Sequence, residues 1–248
     1  MTSHFSKIKP PFISVILPAY NESERIVPTL AAIEAYFAGR PYRYEVIVVS
    51  DGSLDNTEKV VEEGTRRFKN TRLVAHSPNR GKGYAVKQGM LSAHGDFLLY
   101  MDSDNAIDIG HLDVFLEEIK KGYDIVVSSV HLPGARIKLE YEWYRWILSS
   151  IGGFVMRFVA GSGLSDVLRA FKLFTRQAAK AIFPRQTIER FGFDMELMAL
   201  AKRRGLRIKE LPVKWLNPHG DRVRLKGYLS TLRELFVIRW NMWCGRYD

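Results

Sequence analysis

Two aspartates one residue apart, Asp102 and Asp104, end the apolar run "FLLYMDSDNA". Carboxylates at i and i+2 on a turning chain can both reach one hard cation. Magnesium is held in this way, by one or two carboxylates together with substrate phosphates. A cation bridging a diphosphate neutralises the charge that builds on a departing nucleotide. The same pair would also suit a plain turn, with aspartate capping the backbone that follows. A second cluster is "SDGSLDNT" (Ser50–Thr57). A turn and a helix cap account for Gly52, Ser53 and Asp55. They leave Asp51 over, a carboxylate at a strand end that can accept from the N–H of a base. The third cluster, "NRGKGYAVKQGM" (Asn79–Met90), sets Arg80 and Lys82 among glycines just ahead of a helix. Main-chain N–H groups at a helix start suit phosphate, although the Walker spacing is absent.

The elements that must position these clusters alternate. "FISVILPAY" is a short buried strand ending at Pro18. "NESERIVPTLAAIEAYFAG" follows as a helix, with Asn21 as its expected N-cap and Glu22 and Glu24 in its first turn. "YEVIVVSDGS", "TRLVAHS", "DFLLYMDSD" and "YDIVVSSV" read as further strands, separated by helical patterns. Strands that are apolar throughout, alternating with helices, imply an α/β fold: a mostly parallel central sheet with helices on both faces. Ligands of such sheets bind at the carboxyl ends of the strands. Three polar clusters fall there, Tyr20-Asn21-Glu22, Asp51-Gly52-Ser53 and Asp102-Ser103-Asp104. Later, "FGFDMELMALAKRRG" is a helix, "LRIKELPVKW" an edge strand because Pro212 cannot donate, and "GYLSTLRELFVIRWNMWCG" a terminal helix.

A formal charge of +10 favours phosphate-bearing partners. No basic face interleaved with aromatics and no reading motif supports nucleic acid as a partner. One cysteine, Cys244, provides neither a disulfide framework nor a zinc cluster. "MTSHFSKIKPPF" has no signal-peptide core, and the longest uncharged run of the second half, Trp146–Met156, has eleven residues. Crossing a bilayer takes about 20. Nothing here argues for secretion, and any membrane role would have to be peripheral. No linker is evident, so residues 1–248 are expected to form one domain, with a membrane- or partner-facing C-terminal portion.

In this order, "SVILPAYNE", "SDGSLDNT", "NRGKGYAVKQGM" and "LLYMDSDNA" resemble the family 2 glycosyltransferases of the GT-A fold. "FKLFTRQAAKAIF", "FDMELMALAKRRGLRIKELPVKW" and "LRELFVIRWNMW" look like the dolichyl-phosphate glucosyltransferase branch, kin of the mannosyltransferases. The resemblance implies a hexose donor, UDP-glucose or GDP-mannose, and a polyprenyl phosphate acceptor. It likewise implies a nucleotide-sugar-binding half over 12–130, an acceptor and membrane-facing half over 131–248, and a cytoplasmic protein peripheral on the cytoplasmic face of a membrane. Pro18, Ala19, Tyr20 and Glu22 would line the nucleoside and Asp51 would accept from the base. Arg80 and Lys82 would sit near base or diphosphate. Asp102 and Asp104, with Ser103 between them, would hold Mg2+ or Mn2+ on the donor. Asp194 and Glu196 stand where the family has an acidic motif near the acceptor; otherwise they belong to the exposed face of a helix.

On the acceptor side, "YEWYRWILSSIGGFVMRFV" has an apolar stripe ringed by Trp143, Arg145, Trp146 and Arg157, as an interfacial helix requires. The terminal helix repeats this with Leu229, Leu232, Phe236 and Trp243 beside Arg233 and Arg239. Both would equally serve to pack on the sheet. Arg145, Arg222 and Arg224 are the expected grips on an acceptor phosphate. A phosphate nucleophile is already anionic; a hydroxyl acceptor would instead need a base such as Asp194. A hydroxyl-acceptor transferase and a non-catalytic binding homologue are the alternatives. Two departures from the family's pattern fall on this side. "SDVLRAFK" has Arg169 and Ala170 where a small residue and a glycine are usual, and Ser128-Ser129-Val130 stands where an arginine is common.

Overall fold

The computed structural model describes residues 10–138, 164–166, 168–216 and 225–247. Nine strands run along the chain: β1 (Phe12–Ala19), β2 (Arg43–Asp51), β3 (Thr71–His76), β4 (Phe97–Tyr100), β5 (Ile125–Ser129), β6 (Arg136–Lys138), β7 (Lys172–Thr175), β8 (Ile208–Pro212) and β9 (Lys214–Leu216), counted among the described residues. Seven of them form one sheet in the order β3-β2-β1-β4-β7-β5-β8. Every pairing in it is parallel except those of β7, which runs antiparallel between β4 and β5.

Successive side chains of a strand point to opposite faces, and β1 is buried on both. Val15 and Leu17 join one core with Ile33 of α1 (Ile26–Phe37), Val61 of α2 (Thr57–Thr65) and Phe115 of α4 (Leu112–Lys120). Ile16 joins the other with Val86 of α3 (Lys82–Ser92), Ile182 of α5 (Arg176–Ile182), Leu197 of α6 (Phe193–Arg203) and Ile238 of α7 (Leu225–Trp243). The expected architecture, helices on both faces of a mostly parallel sheet, is the one observed.

Pro18 lies inside β1 instead of ending it. β4 follows β1 only as far as the Ile16–Tyr100 rung, so Pro18 and Ala19 pair with β2 alone and the missing N–H falls where no strand requires it. β8 pairs only with β5 and ends at Pro212, as expected of an edge strand. α1 departs from expectation: it begins at Ile26, and Asn21 does not cap it but adopts a left-handed φ of 55° in the preceding loop.

The reversed β7 positions the site. Its first residue, Lys172, stands opposite both Tyr100 and Val127. The segment before β7 therefore lies at the same carboxyl edge as the β4 tip. A small second sheet pairs β6 with β9, and Trp215 bridges from it to Ile107, just past the acidic pair.

Candidate active site

The loops after β1 and β2 are laced together. Asn21 N–H donates to Ser53 Oγ at 3.2 Å, and Asn21 Oδ1 accepts from Leu54 N–H at 2.8 Å. Glu22 N–H donates to Thr57 Oγ1 at 2.8 Å and Ser23 N–H to Asp55 Oδ2 at 3.2 Å. These cross-links explain why Asn21 is drawn away from capping α1. Tyr20 stands exposed at the rim, above the buried Pro18 and Ala19, and Glu22 pairs with Arg25.

Asp51 is buried at the β2 tip. Its Oδ1 accepts from His76 Nε2 at 2.7 Å and Arg80 N–H at 2.8 Å. Its Oδ2 accepts from Asn79 Nδ2 at 2.8 Å and Gly81 N–H at 2.7 Å. A carboxylate has about four acceptor sites, and all are occupied. Asp51 thus shapes the 79–81 loop, and the expected bond to a base would require giving one of these up. Gly52 fits the same cluster: its φ is +67° and a Cβ there would meet Asn79 N at 2.7 Å. Arg80 is held outward, paired with Glu189, its guanidinium 3.7 Å from the centre of the Tyr84 ring. The loop ends where α3 starts, at Lys82.

Lys82 is the cation at the acidic pair. Its Nζ lies 2.5 Å from Asp102 Oδ1. Burial works against its charge, but Asp102, Asp194 and Asp104 outweigh it and hold the pKa above the ordinary lysine value. Asp104 turns Oδ1 to Ala106 N–H at 3.0 Å, and its Oδ2 is 3.8 Å from Arg25. Burial, and then repulsion from Asp102, push the Asp104 carboxyl above its usual range, against Ala106, Arg25 and Lys82. Ser103 between them is buried, its carbonyl accepting from Thr29 Oγ1 at 2.8 Å. Two partly exposed carboxylates that repel each other and have a lysine at one edge fit a divalent cation completed by phosphate oxygens. Among the described residues no cluster of three or more metal-ligating side chains exists, so the rest of the shell would come from donor and water.

A buried cluster joins Asp194 to Lys172, a residue to which the sequence assigned no role. Lys172, fully buried, donates from Nζ to Tyr100 Oη at 2.8 Å, Arg169 O at 2.5 Å and Asp194 Oδ1 at 2.5 Å. Tyr100 donates to the same carboxylate. Burial pushes Asp194 up and Lys172 down, and each pulls the other back. Asp194 is therefore neither on an exposed helix face nor presented as a base. It is locked in a buried ion pair. Glu196 is also buried, and accepts from Thr187 N–H, Ile188 N–H at 2.8 Å and Tyr247 Oη at 2.6 Å. It pins the chain's end and the 187–188 loop to α6. A lysine opening the apolar strand "KLFT" was the available signal for Lys172.

α7 divides into two faces. Leu235 and Ile238 are buried, while Phe236, Trp240 and Trp243 are 77%, 54% and 79% exposed beside exposed Arg233 and Arg239. Of the expected stripe, Phe236 and Trp243 face outward. The side chains of Leu229 and Leu232, the helix expected around Trp143–Arg157, and Arg145, Arg222 and Arg224 lie outside the described residues.

The strand order with one reversed strand and the acidic pair at the β4 tip define a GT-A fold of the α/β class. The chain belongs to the family described as Glycosyl transferase family 2, which matches residues 14–183. Similar curated proteins include dolichyl-phosphate beta-glucosyltransferase ALG5D of Trichomonas vaginalis, 34% identical over 95% of this chain and 76% of that protein. The dolichyl-phosphate beta-glucosyltransferases of Drosophila melanogaster and Homo sapiens are 36% and 32% identical, over 91% and 92% of this chain and 74% of each relative. Among solved structures, glucosyl-3-phosphoglycerate synthase from Mycobacterium tuberculosis, in complex with Mn2+, UDP and glucosyl-3-phosphoglycerate, superposes with a TM-score of 0.69 at 20% identity. That likeness covers 95% of this chain and 80% of the other, and bears on the fold.

Proposed function

We propose that this protein transfers glucose from UDP-glucose to a dolichyl-type polyprenyl phosphate at a membrane surface. The observation that carries the reading is the half-exposed Asp102–Asp104 pair at the β4 tip with Lys82 beside it. It is supported by relatives named dolichyl-phosphate beta-glucosyltransferases and by a fold neighbour solved with Mn2+ and UDP-glucose. Those relatives favour glucose over mannose. Asp102 and Asp104 would hold Mg2+ or Mn2+, which when bound neutralises the donor diphosphate. Lys82, released from Asp102, would turn to a phosphate oxygen. Pro18, Ala19, Tyr20 and Glu22 would line the nucleoside.

A phosphate acceptor brings its own negative charge, so the enzyme's work is positioning and charge neutralisation. Direct in-line attack of a phosphate oxygen on the anomeric carbon would invert its configuration. The burial of Asp194 in its pair with Lys172 supports this acceptor over a hydroxyl, which would need a base within reach. Among the described residues no helix is long and apolar enough to cross a membrane. The outer face of α7, with Phe236, Trp240 and Trp243 beside Arg233 and Arg239, suits a peripheral position at lipid headgroups.

The test is a donor screen with dolichyl phosphate and Mn2+, reading the glycolipid. We expect product from UDP-glucose and little from GDP-mannose. Product from GDP-mannose alone, or none from either donor, would overturn the assignment.

A further inference from the structure

Residues 168–171 lead into β7 at the carboxyl edge of the sheet, between β4 and β5. Phe171 N–H donates to Tyr100 O at 3.1 Å on one side, and Ser128 N–H donates to Phe171 O at 3.2 Å on the other. Arg169 and Asp102 therefore diverge from the same rung, three residues before Lys172 and two after Tyr100. The Arg169 guanidinium lies 4.0 Å from the centre of the Trp215 ring. Trp215 is itself tied to the acidic loop: it bridges to Ile107, and the next residue, Leu216, donates from N–H to Ala106 O at 2.8 Å. The arginine is thus stacked on a platform that begins two residues beyond Asp104, while its carbonyl is gripped by Lys172.

The other cations of this edge are engaged. Lys82 is bonded to Asp102, Lys172 to Asp194, and Arg25 to Glu22. Arg169 differs. Among the described residues its one ionic neighbour is Asp166, with Nε 3.5 Å from Oδ2, beyond good hydrogen-bonding distance. Asp166 is turned to Val130 N–H and Leu168 N–H at 3.3 and 3.2 Å. Among the described residues the Arg169 guanidinium makes no side-chain hydrogen bond, yet its side chain is only 22% exposed. A pre-oriented, partly desolvated planar fork with unused N–H donors is built for a phosphate or carboxylate oxygen pair. Ala170 beside it has no left-handed φ, so alanine is tolerated there, and the positive φ of 82° falls on Phe171.

We infer that Arg169 binds the phosphate monoester of the acceptor. This rests on the phosphate-acceptor reading above and names a residue for it. The bonding partner is a phosphate monoester dianion, which a polyprenyl phosphate or a small water-soluble phosphate ester could each present.

The experiment is steady-state transfer from UDP-glucose by the wild type, Arg169→Gln and Arg169→Lys. One arm uses dolichyl phosphate in detergent micelles, the other 3-phosphoglycerate in buffer. Arg169→Gln should raise the KM of the acceptor that wild type uses about 10- to 100-fold, the scale of a lost charge-assisted bond. The UDP-glucose KM should stay within about twofold. Arg169→Lys should recover part of the loss. Transfer to the lipid arm alone identifies a lipid phosphate, and transfer to the soluble arm alone a free one. An unchanged acceptor KM overturns the inference, as does an equal rise in donor KM with a lowered Tm, which would mark a structural arginine. Should wild type use neither acceptor, the functional reading fails and Arg169 is judged by calorimetric titration with inorganic phosphate. Weaker binding by Arg169→Gln, or by Arg169→Lys if the glutamine variant does not fold, then sustains the inference. Affinity equal to wild type overturns it.

Discussion

At the tip of β2, Asp51 is 3% exposed, and four donors from His76, Asn79, Arg80 and Gly81 fill its carboxylate. Two strands away, at the tip of β4, Asp102 and Asp104 have side chains 40% and 25% exposed. They repel each other and are met by one lysine and a distant arginine. The same residue type at the same edge of one sheet therefore serves two ends. A carboxylate whose lone pairs are all taken up by its own chain fixes a loop. One left short of partners is, on the function proposed above, held ready for a cation from outside. The β2 tip builds the wall against which the β4 tip works, because the loop that Asp51 orders delivers Lys82 to Asp102.

Replacing either aspartate by asparagine should break the two tips in opposite ways. Asp104→Asn keeps the acceptor for Ala106 N–H and removes only charge. Transfer should fall by about 10²–10³-fold, the size of a lost electrostatic clamp, with Tm unchanged or slightly raised by the relief of repulsion with Asp102. Excess Mn2+ should recover part of the rate. A variant with full activity would show that Asp104 is a turn residue like Asp51.

Asp51→Asn should do the reverse. An amide NH2 would confront either the Arg80 and His76 donors or those of Asn79 and Gly81. Leaving buried donors without an acceptor costs about 1–3 kcal/mol each, so about 3 kcal/mol is expected. A chain of this size loses about 2–4 °C per kcal/mol, which makes a Tm drop of roughly 6–12 °C measurable by calorimetry. Activity should fall with it, through misplacement of Lys82. Unchanged Tm with a raised donor KM would instead restore Asp51 to the base-binding role that its place in the sequence suggested.

That earlier role shows where the sequence stopped being readable. Strand tips are local: an apolar run that breaks at Asp51 or at Asp102 is visible in ten residues, and both tips were placed correctly. Who consumes the carboxylate is not local. The donors to Asp51 come from the end of β3 and the loop after it, 25 to 30 residues on, and those to Asp194 from β4 and β7. Thus an acidic residue read as helix surface or acceptor base is sealed in the core. The direction of β7 was equally hidden, since the four residues "KLFT" pair as well either way. Only the tertiary insertion between β4 and β5 brings Lys172 opposite Tyr100. The start of α1 failed for the same reason, because Asn21 found Leu54 N–H across the site before it could cap its own helix.

The lacing between the β1 and β2 loops offers the finest test of the contrast, through Asp55, which is exposed yet fully used. Burial works to raise its carboxyl, but bonds from the Thr57 hydroxyl and N–H and from Ser23 prevail and bring its pKa down to about 2 from 3.8. A group depressed in the folded state stabilises above its unfolded pKa and loses that contribution as pH falls through the folded one. The Tm gap between wild type and Asp55→Ala should therefore be full at pH 5–7 and shrink between about pH 4 and pH 2. Solvent screening at this exposed position keeps the underlying stability difference near 1 kcal/mol or less. A gap that does not change across that window would mean that Asp55 acts through the shape of the turn alone. Asp51, sealed from solvent, would then be the one strand-tip carboxylate whose charge holds these loops in place.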